Sequence, residues 1–225
     1  MNKSDSSCSA SPKGALRSLF SGAVYVVSDN PDVLKRAIED GVTILQLRDK
    51  SGDKAAIRGK AREVLAHPRR NAFLFILNDE PELALEIGAD GVHIGQDTDS
   101  VQTRALVGET FLIGKTTHNL NQARQAERDG MDYISAGPVY PTPTKPGRPA
   151  VGLEYVCAVA GNISLPFVAI GGIDETNIDA VLAAGARTVG IVRAAALAPL
   201  FLNKVRRHLK LNGDQTEIIS SVGGG

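Results

Sequence analysis

The sequence predicts a closed (β/α)8 barrel, on three observations. Eight short apolar runs rich in Val, Ile and Phe alternate with longer amphipathic stretches. Several of those stretches end in glycine just before the next apolar run, as at Asp129-Gly130 and Ala184-Gly185, where glycine can take the left-handed conformation that stops a helix. The first run ends Ser28-Asp29-Asn30-Pro31, without the G-x-G-x-x-G turn that usually opens a doubly wound sheet, the competing architecture. A length of 225 residues suits one barrel and is short for two full domains.

Taken in order, the strands are expected at 23–28, 43–48, 73–78, 91–94, 111–114, 133–136, 167–170 and 188–192. Their brevity and unbroken apolarity suit parallel strands covered on both faces. Helices fit between them. Asn30 caps one that starts at Pro31-Asp32, with proline in its first turn. Others are expected at 80–87, 120–128 and 176–184. The barrel should span 19–212, between polar tails at 1–18 and 213–225 that are expected to be disordered. The first tail is Ser-rich but lacks the apolar core of a secretory signal.

Composition narrows the function classes. Lys plus Arg equal Asp plus Glu at 25 each, so there is no electrostatic footprint for nucleic acid. No apolar run approaches the roughly 20 residues that span a bilayer. The two cysteines, Cys8 and Cys157, do not make a disulfide framework, which fits a reducing compartment such as the cytoplasm. Anion binding must come from a few focused groups. Whether the chain self-associates is left open.

In a barrel the chemistry gathers where strands lead into helices. Strand two ends Gln46-Leu47-Arg48-Asp49-Lys50, and alternation puts Gln46, Arg48 and Lys50 on one side, suited to phosphate oxygens. Strand three ends Asn78-Asp79-Glu80-Pro81. This is either capping chemistry or a carboxylate that holds Mg2+, which takes one or two carboxylates plus substrate phosphates. The next turn, His93-Ile94-Gly95-Gln96-Asp97-Thr98-Asp99, can supply a second acidic ligand, with His93 read as a structural polar residue. Lys115-Thr116-Thr117-His118 after strand five either binds substrate or caps the following helix. The longest loop runs from Gly137 to Arg148 and reads as a lid, with threonines and Lys145 to grip phosphate. Gly171-Gly172 after strand seven and Arg193 after strand eight mark the usual phosphate cup of such barrels. Two anion sites over one barrel mouth imply two phosphorylated substrates or one bisphosphorylated substrate.

With these residues in hand, the chain resembles the thiamin phosphate synthase family from about Val24 to Val205. The matching motifs are Gln46-x-Arg48-x-Lys50, Asn78-Asp79, Gly91-Val92-His93-Ile94-Gly95-Gln96, Gly137-Pro138-Val139-Tyr140-Pro141-Thr142-x-Thr144-Lys145 and Ile170-Gly171-Gly172-Ile173. The resemblance implies that hydroxymethylpyrimidine pyrophosphate is attacked by the ring nitrogen of a thiazole phosphate, giving thiamin phosphate and pyrophosphate. It also implies that Gln46, Arg48, Lys50, Asn78 and Lys145 bind the pyrimidine pyrophosphate, with Thr116 near the pyrimidine and Asp79 on Mg2+. Arg48, Lys50 and Lys145 would carry the catalytic charge stabilisation. Thr142, Thr144, Gly172 and the Val192-Arg193 turn would meet the thiazole phosphate.

Two departures stand out. Thr98 occupies the place where the family usually has a second metal-binding Asp, and Asp97 is taken as its replacement over Asp99. Arg193 stands where Ser is more common. The rival expectations are a thiazole tautomerase using His118 as proton carrier, and a non-catalytic barrel that binds a thiamin precursor. Relatives of the first kind tend to lose the Arg48-x-Lys50 and Asn78-Asp79 signatures, which are intact here, and only the altered turn after Gln96 favours the second.

Overall fold

Eight parallel strands close on themselves in sequence order, β1 pairing with both β2 and β8. The computed structural model describes residues 12–143, 147 and 149–213. The strands are β1 (Val24–Ser28), β2 (Ile44–Leu47), β3 (Leu74–Asn78), β4 (Gly91–Ile94), β5 (Leu112–Thr117), β6 (Tyr133–Ala136), β7 (Phe167–Ile170) and β8 (Val189–Ile191). The helices are α1 (Pro12–Phe20), α2 (Pro31–Glu39), α3 (Lys54–Leu65), α4 (Pro81–Glu86), α5 (Ser100–Val107), α6 (Leu120–Arg128), α7 (Gly152–Asn162), α8 (Ile178–Ala183) and α9 (Ala198–Leu211). α1 precedes the barrel, and each later helix packs outside it. The expected (β/α)8 barrel is the fold found.

Alternation along each strand sorts the side chains. On β1, Val24 and Val26 join the large core between barrel and helices, whereas Tyr25 and Val27 join a smaller cluster inside the barrel. On β2, Leu45 and Leu47 point outward and Ile44 inward. The outer layer is dry: Leu34, Phe75, Ile113, Val156, Phe201 and Val205 are fully enclosed. The inner cluster fills only the lower barrel.

The local signals behave as their chemistry requires. The Asn30 side chain accepts from the Asp32 N–H at 2.8 Å and starts α2. Asp53, Asp99 and Asn119 cap α3, α5 and α6 in the same way. The predicted helix at 120–128 has those bounds. Strand five runs three residues beyond its expected end at 114, because Thr116 and Thr117 continue the ladder opposite Ser135 and Ala136. The Lys115 side chain leaves the barrel and donates to the Gln96 and Thr98 carbonyls of the β4–α5 turn.

A further difference lies at the N-terminus. Helix α1 stands where the sequence suggests the end of a disordered tail. Two anchors explain it. Arg17 donates to the Ser164 carbonyl, and Phe20 packs on Tyr133 with ring centroids 4.9 Å apart. Phe20 thereby plugs the barrel from below. The chain's other end stays helical to Leu211, close to the expected boundary at 212; residues 1–11 and 214–225 lie outside the described residues.

The lower rim is tied by two similar clasps. Asp90 accepts from Arg70 and from the Phe75 N–H at 2.7 Å. Asp132 accepts from Arg104 at 2.6 Å and from the Ile113 N–H at 2.7 Å. Each aspartate precedes one strand and holds the first residues of its neighbour.

Gly114 has a packing role. A methyl group there would fall on the Tyr133 and His93 rings, so only glycine lets Tyr133 cross the interior. Gly114→Ala should lower stability by about 1–3 kcal/mol, as overpacking of a filled interior does. A shift of the urea midpoint with unchanged slope is the expected result.

Candidate functional site

Above the apolar plug, a hydrogen-bonded chain crosses the barrel. Gln46 Nε2 donates to the Tyr25 hydroxyl at 2.7 Å. The hydroxyls of Tyr25 and Tyr133 lie 2.9 Å apart. Tyr133 Oη meets His93 Nδ1 at 3.1 Å, and His93 Nε2 meets Thr116 Oγ1 at 3.1 Å and Ser135 Oγ at 3.3 Å. All six residues are under a tenth exposed, and no buried side-chain polar atom among the described residues lacks a partner. Burial pushes both tyrosine hydroxyls well above their usual range, so they serve as neutral donors.

This chain is the floor of a cavity of about 460 Å³ at the C-terminal end of the barrel. Gln46, Arg48, Asn78, Thr116, Thr142, Gly172, Val192 and Arg193, all singled out from the sequence, line it. Lys50, Asp79 and Asp97 are not among the residues that line it. Tyr25, Tyr133, Ser135 and Asp174 also line it and were missed. Tyr133 and Ser135 alternate with Ile134 and Ala136, so a period of two was present, hidden in a run that reads as apolar.

One end of the cavity is charged. Arg48 has no ion-pair partner among the described residues. Lys50 Nζ bonds Asp79 Oδ2 at 2.5 Å, and Asn78 Nδ2 donates to the same oxygen at 2.8 Å. Partial burial pushes the Asp79 carboxyl up, but Lys50, Asn78 and the Gly95 N–H together hold it below its usual range. Asp79 and Glu80 have φ of 54° and 52°, a left-handed pair that non-glycine residues adopt at some cost. Lys54 pairs with Glu80 at 2.7 Å, so two lysines hold the two strained residues. Asp49, between Arg48 and Lys50, turns the other way to Lys60 of α3 at 2.7 Å.

The β4–α5 turn follows. Asp99 caps α5 through the Gln102 N–H at 3.0 Å. Asp97 is exposed on the turn and makes no ion pair among the described residues. Gln96 Nε2 donates to the Thr116 carbonyl. Lys115, on β5, donates to the carbonyls of Thr98 and Gln96. Among the described residues no group of three or more His, Cys, Asp and Glu side chains gathers as a metal cage. Mg2+ needs no such cage when phosphates complete its shell. The Asp79 carboxylate, which already takes the Lys50 ammonium at the barrel mouth, fits that demand.

The opposite end is built from backbone. β6 leads through a cis Gly137–Pro138 bond into a segment that pairs with the end of β7: Val139 N–H to the Ile170 carbonyl at 3.0 Å and Tyr140 N–H to the Gly171 carbonyl at 2.9 Å. Gly171 and Gly172 have φ of 101° and 69°, and a Cβ on either would strike Pro138 or Tyr140. The glycine pair thus lets the loop lie directly on the strand end. Asn177 Nδ2 holds the Gly172 carbonyl at 2.9 Å, and Asp174 accepts from Thr176. Arg193 is exposed beside this rim. Thr144, Lys145 and Arg148 of the expected lid lie outside the described residues. His118 Nδ1 bonds the Gly137 carbonyl, and its side chain is not part of the cavity wall, which leaves the tautomerase expectation without support from its position.

Comparison with known proteins places these features in context. Residues 22–195 match the family model described as thiamine monophosphate synthase. The thiamine-phosphate synthase of Thermus thermophilus is 46% identical over 171 residues, covering 75% of this chain and 82% of that protein. That of Gloeobacter violaceus is 44% identical over 191 residues, covering 82% of this chain. The present chain spans only 56% of the length of the Gloeobacter relative. Among solved structures, thiamine phosphate pyrophosphorylase from Pyrococcus furiosus superposes with a TM-score of 0.75 at 26% identity, covering 88% of this chain and 98% of that one. A 3-hexulose-6-phosphate synthase, at 18% identity and a TM-score of 0.57, shares the fold alone. None of the described helices is long and apolar enough to cross a membrane.

The Asp49–Lys60 pair makes a prediction. The Lys60 ammonium, with the Ser51 donors, lowers the Asp49 carboxyl to about 2. A depressed folded value means that its stabilisation is complete above the unfolded value of about 3.9 and is lost as pH falls through the folded value. Urea stability measured from pH 6 downward should show a loss between about pH 4 and 2 that Asp49→Asn lacks.

Proposed function

Because the chain belongs to the thiamine monophosphate synthase family, we propose that it joins hydroxymethylpyrimidine pyrophosphate to thiazole phosphate, releasing thiamin phosphate and pyrophosphate. The observation that carries this reading is the two-ended cavity: Arg48 and Asn78 at one side, and the Gly172 and Arg193 rim at the other, over a neutral polar floor. The pyrophosphate belongs at the cationic side and the thiazole phosphate at the glycine rim. Gln46, Thr116 and the rest of the floor suit an aminopyrimidine, whose ring needs donors and acceptors but no charge.

The residues divide the work. Arg48, Lys50 and Lys145 neutralise the charge that builds on departing pyrophosphate. Asn78 orients the diphosphate. Asp79, with Asp97, would hold Mg2+, which supplies further charge neutralisation to the leaving group when bound. Thr142, Thr144, Gly172 and the Val192-Arg193 turn hold the thiazole phosphate so that the ring nitrogen faces the methylene carbon. That nitrogen carries a free lone pair, so no general base is required. Rate enhancement then comes from charge stabilisation and from holding two substrates in line. Such an enzyme needs no nucleic acid or membrane partner, and a cytoplasmic setting suits it.

Pyrophosphate release should require both substrates together with Mg2+ and should stop with EDTA. Release from neither combination, with thiazole phosphate still bound, would overturn the reading. Arg48→Ala should cut turnover by about 10²–10³-fold, the usual effect of removing one such charge-stabilising group. Thiazole phosphate affinity should stay nearly unchanged in a binding titration, because Arg48 serves the other side.

A further inference from the structure

Lys115 is a buried charge that the proposed reaction does not use. Its neighbour Thr116 faces the cavity, so alternation sends Lys115 outward from the barrel. It is 6% exposed, and among the described residues no carboxylate lies within ion-pair distance of it. An ammonium so placed is costly to bury unless its donors are met. Two of the three are met by backbone: Nζ donates to the Thr98 carbonyl and, at 3.5 Å, to the Gln96 carbonyl.

Those two carbonyls flank Asp97. One belongs to the peptide that enters Asp97, and the other to the residue that follows it. The turn is also tied in the reverse direction, Gln96 Nε2 donating to the Thr116 carbonyl. Just upstream the Gly95 N–H bonds the Asp79 carboxylate. The competing carboxylate, Asp99, is committed as the α5 cap. One side chain therefore fixes the backbone on both sides of the one uncommitted carboxylate in the turn, a residue or two from the contact with Asp79.

We propose that Lys115 is a positioning residue, which fixes the β4–α5 turn so that Asp97 and Asp79 share one divalent cation with a bound diphosphate. This rests on the functional reading above. It also accounts for the displaced acid: with Thr98 in the expected ligand position, a rigid turn is what lets Asp97 serve instead. Methionine at 115 fills the space but leaves both carbonyls without a donor, whereas arginine keeps donors there.

The test measures Mn2+ affinity in the presence of inorganic pyrophosphate, by the loss of the free Mn2+ electron spin resonance signal, on the full chain. The variants are Lys115→Met, Lys115→Arg, Asp97→Asn and the double variant Lys115→Met with Asp97→Asn. Lys115→Met should weaken Mn2+ binding by about tenfold, as loss of a residue supporting a ligand does, and Asp97→Asn, which removes the ligand that Lys115 positions, by a similar factor. Lys115→Arg should restore most of it, the double variant should be no worse than either single one, and thiazole phosphate affinity should not move. A purely structural lysine would lower Tm and leave Mn2+ affinity alone. Unchanged affinity in Lys115→Met or in Asp97→Asn, or losses that multiply in the double variant, would overturn the proposal. Should Lys115→Met not fold, Lys115→Gln, whose amide sits one bond nearer the backbone and cannot serve both carbonyls, takes its place in the cycle, and Asp97→Asn still decides. If the wild type binds Mn2+ with pyrophosphate as expected but releases none from the substrate pair, the functional reading falls while the role of Lys115 stands.

Discussion

The Tyr133 hydroxyl is where the dry half of the barrel meets the wet half. Below it, the ring packs on Phe20, and beside it Gly114 leaves the space the ring needs. Above it, the hydroxyl joins Tyr25 to His93. A barrel of eight strands is just wide enough to be filled by side chains. What is not filled becomes the cavity. Placing large aromatic bodies low and their polar ends high gives a floor whose hydrogen bonds are complete before any ligand arrives. A complete network of this kind is rigid, since each member can move only by stranding another.

Around that floor the charges are few and directed. The chain as a whole is neutral, so its field comes from placement. Lys50 on the β2–α3 connection and Lys54 at the start of α3 reach Asp79 and Glu80, drawing two strand ends together. Asp49, facing outward to Lys60, ties the same connection to α3. Among the described residues the opposite rim has no comparable ion pair; there the backbone approaches closely because Gly171 and Gly172 allow it. Ion-paired charge on one side and close backbone beside Arg193 on the other are different ways to receive an anion, and they divide the cavity into two unlike ends.

How much of this could be seen beforehand follows from the range of each interaction. The barrel was legible because strand and helix periods are local, and so was the side of β2 that carries Gln46 and Arg48. The glycine pair was legible because its position at a strand end has few other uses. The Tyr25–Tyr133 contact joins residues 108 apart in sequence, and no local pattern marks it. That Asp99 caps α5 also needed the fold, through its contact with the Gln102 N–H. Lys115 hid for another reason. A lysine in a strand suggests an end or an edge, and the carbonyls that accept it belong to a different βα unit. Helix α1 was lost in a polar segment because its stability comes from Phe20 and Arg17 contacts with distant parts of the chain.

The Phe20 plug has a consequence for traffic. With the lower barrel packed shut, the cavity is a cup, not a channel. Whatever enters must leave by the door it came through. A residue of a helix at the far end of the barrel thus sets the side on which every exchange takes place.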